Sequence, residues 1–222
     1  MSARRTYYKA IRPDGTDFHT GKVQWAPPEG HEGEWIVRHP TAQKVGPKAD
    51  EYLSVSTVPT DCTGMSWPCR LLEVQAVGHR ARTPDRKRLP NKRAGVAFRV
   101  VRELPAHEAL GPQGEHVAAL IERARLLTSD EVQALNAAGD AARYAAGDAA
   151  GDAARYAAGD AAWDSAWEAA WDAAWYAARA LAARDLIGQH GFTQEHYDAL
   201  TGPWRRTIGP VHPDDAPMDG AA

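Results

Sequence analysis

Four tryptophans set four residues apart, Trp163, Trp167, Trp171 and Trp175, carry the most specific chemical pattern in the chain, and Asp164, Glu168 and Asp172 each follow one of them. On a helix, a step of four residues advances the side chain by about 400°, so each tryptophan lies about 40° past the last. That spacing gives an aromatic flank, an acidic flank beside it, and a remainder of almost pure alanine. Tryptophan is the favoured anchor of interface hot spots, and aromatic stripes at helical spacing also serve as core. Two uses stay open: docking of a protein partner, or self-association and packing on the rest of the chain. The acids, and the lack of any Lys or Arg between Arg155 and Arg179, disfavour nucleic-acid stacking and anionic membranes.

A second cluster is basic: Arg80, Arg82, Arg86, Lys87, Arg88, Lys92 and Arg93, broken only by Asp85 among charged residues. Pro84, Pro90 and Asn91 mark it as a mobile loop. Phosphate or nucleic-acid binding is one use for such charge, and a solvated loop or a clamp onto an acidic segment is the other. His19, His31 and His39 are spaced by 12 and 8 residues, which matches no metal motif, and dinucleotide- or Walker-type glycine patterns are missing. Cys62 and Cys69 do not form the short Cys-x-x-Cys of a zinc or redox site. No metal is expected.

A third set is ordered Arg5 (or Arg4), Ser54-Val55-Ser56-Thr57, then Glu73-Val74-Gln75. This order of Arg, Ser-x-Ser and Glu resembles some ADP-ribosyltransferases. The resemblance implies that Arg5 would orient the phosphates of an NAD cofactor, Ser54 and Ser56 would shape its nicotinamide pocket, and Glu73 would stabilise the oxocarbenium-like centre. The Ser-Thr-Ser triplet is not matched, however. Glu73 also stands first in its Glu-x-Gln, where those enzymes place the catalytic acid last.

These residues need elements to hold them. Within residues 1–105, Thr6–Ile11, Phe18–Gln24, Trp35–Arg38, Tyr52–Thr57, Leu71–Val77 and Val96–Leu104 are short β-branched or aromatic runs bounded by Gly, Pro or Asp, and predict a small β-rich domain. Residues 106–127 predict a connecting helix with an apolar stripe of Val117, Leu120, Ile121, Ala124 and Leu127. Thr128 and Glu131 form a capping-box pattern. Residues 137–148 read AAGDAARYAAGD, residues 149–160 repeat them, and the tryptophan tetrads follow. Alanine at two of every four positions predicts one long helix over 128–187, despite glycines at 139, 147, 151 and 159. Residues 188–212 predict a short helical end piece running to Leu200 and stopped by Gly202-Pro203, and 213–222 a flexible tail.

Residues 1–105 hold 18 Lys/Arg against 11 Asp/Glu, and residues 106–222 hold 8 against 18, so the two parts face different partners or attract each other. No apolar run reaches the length of a membrane span, the N-terminus lacks a signal-type apolar core, and two cysteines suit a reducing cytoplasm. The runs Tyr8-Lys9-Ala10-Ile11, Asp14-Gly15-Thr16, Gly21-Lys22, Tyr52-Leu53-Ser54-Val55-Ser56, Leu72-Glu73-Val74 and Phe98–Leu104 resemble the amino-terminal domain of a family of uncharacterised bacteriophage and actinobacterial proteins, whose small domain often precedes Ala-rich low-complexity repeats. Members often carry a Cys and a Gly-Phe-His or Gly-Leu-His turn before the fourth strand. Glu51-Tyr52-Leu53-Ser54 stands here instead, so no histidine role carries over. The sequence thus predicts an α+β chain: a small β-rich N-terminal domain, a long Ala-rich helix and a short C-terminal helix. Its expected role is that of a non-enzymatic interaction or accessory protein of phage or mobile-element origin in the bacterial cytoplasm, with an NAD-dependent transferase on the N-terminal domain as the alternative.

Overall fold

Alternation along Thr6–Ile11 decides the first strand: Tyr7 and Ile11 turn inward and are buried, and Tyr8 turns to the opposite face. The computed structural model describes residues 5–62, 65–78, 81–84, 89–135, 137 and 172–215, with the backbone alone for 172–175. Two units divide it, Met1–Ala109 and Leu110–Ala222.

Among the described residues the first unit contains one six-stranded sheet. Its strands are β1 (Thr6–Ile11), β2 (Trp35–Arg38), β3 (Leu53–Ser56), β4 (Arg70–Ala76), β5 (Lys92–Gly95) and β6 (Ala97–Leu104), in the order β2-β6-β4-β1-β3-β5. Every neighbouring pair is antiparallel. β1 and β4 are in register from Thr6 opposite Gln75 to Ile11 opposite Arg70, whereas β1 meets β3 only where Tyr8 faces Ser56. A bulge at Val101 lets Arg102 pair with Glu73 and Val100 with Val74.

A hydrophobic cluster lies on one face of this sheet. Tyr7, Ile11, Leu72, Val74, Leu53, Val55 and Phe98 pack there, and Trp25, Ala26 and Ala81 close over them from loops. The Phe98 ring sits 6.2 Å from Tyr7 and 5.9 Å from Trp25, and burying each such side chain stabilises by about 1.5–3 kcal/mol. Gly95 is required beside it: a Cβ there would come within 2.7 Å of the Phe98 ring.

Two strand expectations change. Phe18–Gln24 forms no strand beyond a single bridge from Thr16 to Gln24, because Asp17 draws the chain into a closed loop whose backbone groups are satisfied locally. The basic run, expected as a loop, supplies β5: Lys92 and Arg93 pair with Ser56 and Val55, and Arg82 bridges to Ala94. Backbone pairing with a sheet edge outweighs the turn-forming composition around it.

In the second unit, α1 (Gly114–Arg125) buries Val117, Leu120, Ile121 and Ala124. Thr128 and Glu131 cap a helical segment at 129–135 reciprocally: the Thr128 N–H donates to the Glu131 carboxylate at 2.7 Å, and the Glu131 N–H donates to Thr128 Oγ1 at 3.3 Å. α2 (Asp172–Ala182) packs between α1 and α3 (Gln194–Thr207), with Ala177, Ala178, Ala180 and Leu181 fully buried.

The single helix expected over 128–187 is corrected. Among the described residues the helices α1, α2 and α3 are 12, 11 and 14 residues long. The run expected to reach Ile187 ends at Ala182, where Ala183 leaves helical geometry and a 3-10 turn spans Arg184–Leu186 before Gly188 at φ 88°. α2 packs its alanine face between two neighbours, and its end at Ala182 falls short of the one that summed propensity predicts. The repeats at 138–160 and the residues Trp163, Trp167 and Trp171 lie outside the described residues.

The end piece is also corrected. α3 does not stop before Gly202-Pro203 but continues to Thr207. An interior proline costs about 3 kcal/mol by losing a hydrogen bond and crowding the preceding turn. Gly202, lacking a Cβ, relieves the crowding on the residue before proline. Burial of Tyr197, Leu200, Thr201, Pro203 and Trp204 offsets the rest.

Candidate functional site

Lys9 lies on the wrong side of β1 for a lysine. Alternation puts it on the core-facing side with Tyr7 and Ile11, half-buried, and its Nζ lies 5.3 Å from the centre of the Trp25 ring. A cleft of about 610 Å³ opens beside it, within the roughly 300–1,000 Å³ typical of small-ligand sites. The cleft forms where β1 and β3 part beyond their one paired position, and loops 17–23 and 39–41 wall it. At the parting, the Ala10 backbone N–H turns to the Cys62 sulfur.

The loop wall is built on Asp17. Its Oδ1 accepts from the Thr20 N–H at 2.6 Å, and its Oδ2 accepts from Thr20 Oγ1 at 2.7 Å and the Val23 N–H at 2.9 Å. Backbone bonds from Gly21 to the Asp17 carbonyl and from Asp17 to the Val23 carbonyl close the loop, with Gly21 at φ 66°. Burial alone would raise the Asp17 pKa, but the donors from Thr20 and Val23, with the charge of Lys9, pull it down to about 2. This carboxylate is spent on the loop. His19 and Lys22 sit on the same wall.

Lys92 enters from β5. Its strand pairs with β3 at Ser56, and Asn91 before it accepts the Thr57 N–H on its carbonyl at 3.0 Å and the Thr57 hydroxyl on its side chain at 3.1 Å. Asn91 also donates to Asp61. Desolvation by burial lowers the Lys92 pKa. The Lys9 pKa is lowered too, by desolvation first, with Cys62 and Asp17 opposing and Lys92 adding to the fall. None of the ion pairs among the described residues involves Lys9, Lys22 or Lys92. The cleft is therefore lined by three lysines together with Asp17 and Asp50, with Tyr52 and Ser54 as polar neighbours. Such a set can hold an anion.

Among the described residues of the basic run, Lys92 lines the cleft and Arg82 and Arg93 do not. Arg93 donates to the carbonyls of Pro90 at 2.6 Å and Lys92 at 2.8 Å, so it braces its own turn. Arg82 is exposed on a bridge to Ala94, and Arg80, Arg86, Lys87 and Arg88 lie outside the described residues. Of the transferase-like set, Ser56 and Glu73 share a row across the sheet, each opposite Tyr8. Ser54 lines the cleft; Ser56 is buried, and Arg5 is exposed at the start of the described chain. Glu73 does not line the cleft; it accepts from Arg102 Nε at 2.7 Å on the other side of the sheet from Lys9. Trp175 belongs to α2 by its backbone, and its side chain lies outside the described residues.

Lys9 and Asp17 were missed by motif reasoning. The signal for Lys9 was present in Tyr7-x-Lys9-x-Ile11, where a charge takes a core position in a period of two. Asp17 gave a signal in Asp-x-x-Thr, a short acid followed by donors that fold back on it.

Burial disfavours the thiolate form of both cysteines. Burial pushes Cys62 up to about 12 and Cys69 up to about 11, and both are free and buried. Among the described residues no group of three or more His, Cys, Asp or Glu side chains is arranged to hold a metal ion. No described helix is long and apolar enough to cross a membrane. Comparison with protein-family models, curated proteins and solved structures finds no match to this chain.

Proposed function

We propose that this chain is a non-enzymatic binding and interaction protein whose sheet unit captures a small anion in the cleft between Lys9 and Lys92. The observation that carries the reading is two lysines lining one cleft, from two different strands, neither in an ion pair among the described residues. Half-burying unpaired charge is unfavourable, and an anion that completes the pairing recovers that cost on binding. Its place of action is the cytoplasm, a reducing compartment that suits two free buried thiols. The tryptophan-bearing segment is a second candidate for protein contacts, by docking or self-association, on its residue types alone.

Thermal unfolding of the full chain in rising inorganic phosphate and pyrophosphate, at constant ionic strength, tests the anion site. Ligand at about 100 times its Kd stabilises by about 2.7 kcal/mol, so the midpoint rises by several degrees with pyrophosphate. Lys92→Gln halves the rise or removes it. A midpoint that follows ionic strength alone contradicts the proposal.

A further inference from the structure

We infer that Lys9 is a carbonyl-capturing amine, which forms a reversible imine with a small aldehyde- or keto-bearing anion held in the cleft. The inference rests on the anion-binding reading of the same cleft and names the ligand's second functional group. Four placements support it. Lys9 projects from the same side of β1 as the core residues Tyr7 and Ile11. Lys9 lines the cleft and takes part in no ion pair among the described residues. Lys92 lines the same cleft from β5, a second lysine for the ligand's charge while Lys9 reacts. The Trp25 ring lies beneath Nζ, where it supports the cationic, protonated form of an imine as it supports an ammonium.

The chemistry needs no other reactant. The neutral amine adds its electron pair to the carbonyl carbon, and the C=O bond becomes a C–O single bond in a carbinolamine. The two hydrogens of the amine leave with that oxygen as one water, and C=N replaces C=O. Hydrolysis runs the same steps backward and frees the ligand. A lysine becomes a competent nucleophile when burial and a neighbouring cation favour its neutral form, and burial and Lys92 both push Lys9 in that direction.

The chain's lysines, Lys9, Lys22, Lys44, Lys48, Lys87 and Lys92, provide internal controls. Full-length protein is treated with glyoxylate and cyanoborohydride at neutral pH, and each lysine's carboxymethylation is quantified by peptide mass spectrometry. The expected result is labelling of Lys9 several-fold above the exposed Lys44 and Lys48, suppressed by competing pyrophosphate. Lys9→Arg removes the primary amine and loses the dominant label, while labelling of the exposed Lys44 and Lys48 stays unchanged. Should Lys9→Arg fail to fold, Lys92→Gln gives the second readout: Lys9 still labels, several-fold more slowly with glyoxylate and at an unchanged rate with uncharged propanal. Labelling spread evenly over the lysines, or dominated by Lys92, overturns the inference even if pyrophosphate binds. Selective labelling of Lys9 by propanal in a protein that does not bind pyrophosphate sustains the amine's reactivity and overturns the anion site instead.

Discussion

Replacing Asp17 by Asn isolates the charge that holds the cleft wall. Both carboxylate oxygens of Asp17 accept from backbone N–H groups, Oδ1 from Thr20 and Oδ2 from Val23. An amide has one oxygen, so in either orientation one backbone N–H faces an NH₂ group. Leaving such a donor unsatisfied costs about 1–3 kcal/mol. The pH dependence gives an independent magnitude. Because the pKa falls from 3.8 unfolded to about 2 folded, linkage assigns the ionised carboxylate about 1–2 kcal/mol after discounting for solvent screening. The sign follows from the depressed value: this stability is fully present above pH 3.8 and is lost as pH falls through 2. About half should be gone by pH 3. Urea unfolding of the wild type and Asp17→Asn at a series of pH values measures it. The gap between the two proteins should be widest at pH 5–7 and should narrow steadily below pH 4. A gap of constant size down to pH 3 would refute the assignment of the charge to this loop.

Other changes bear on the rest of the structure. Gly95→Ala should destabilise by about 1–3 kcal/mol in urea, because its Cβ meets the immobile Phe98 ring at 2.7 Å; a neutral result would mean that the ring has room to move. Glu73→Gln should leave pyrophosphate binding unchanged and cost less than about 1 kcal/mol, since its partner Arg102 is largely exposed; loss of binding or of any NAD turnover at an unchanged melting temperature would restore the transferase reading. Cys62 and Cys69 should resist iodoacetamide at pH 7.5 in the native protein and react in urea, as their raised pKa values require; rapid native alkylation would show that the pocket around them opens.

How much could be read from the residues differs by unit. The strands Thr6–Ile11 and Trp35–Arg38 were legible to the residue, because short alternating runs between turn residues leave little choice of register. β5 was not legible: Lys92-Arg93-Ala94-Gly95 has no strand composition and is ordered by pairing with β3, a contact between residues more than thirty apart. The helix lengths were misread for a related reason. Alanine repeats state a propensity but no partner, and α2 ends at Ala182, where Ala183 leaves helical geometry. In α3 the local signal of Gly202-Pro203 was real but lost to the burial of Trp204 and Leu200. The cleft was half legible. Lys92 belonged to a visible charge cluster, while Lys9 looked like an ordinary strand residue until its facing was known.

The most direct test is a map of where an anion sits. In ¹H–¹⁵N correlation spectra of the full chain titrated with pyrophosphate at fixed ionic strength, saturable shifts should concentrate at Lys9 and Ala10, through the 17–23 loop, at Tyr52–Ser54 and at Lys92. Shifts that do not saturate, or that gather away from these residues, would contradict the cleft as the binding site.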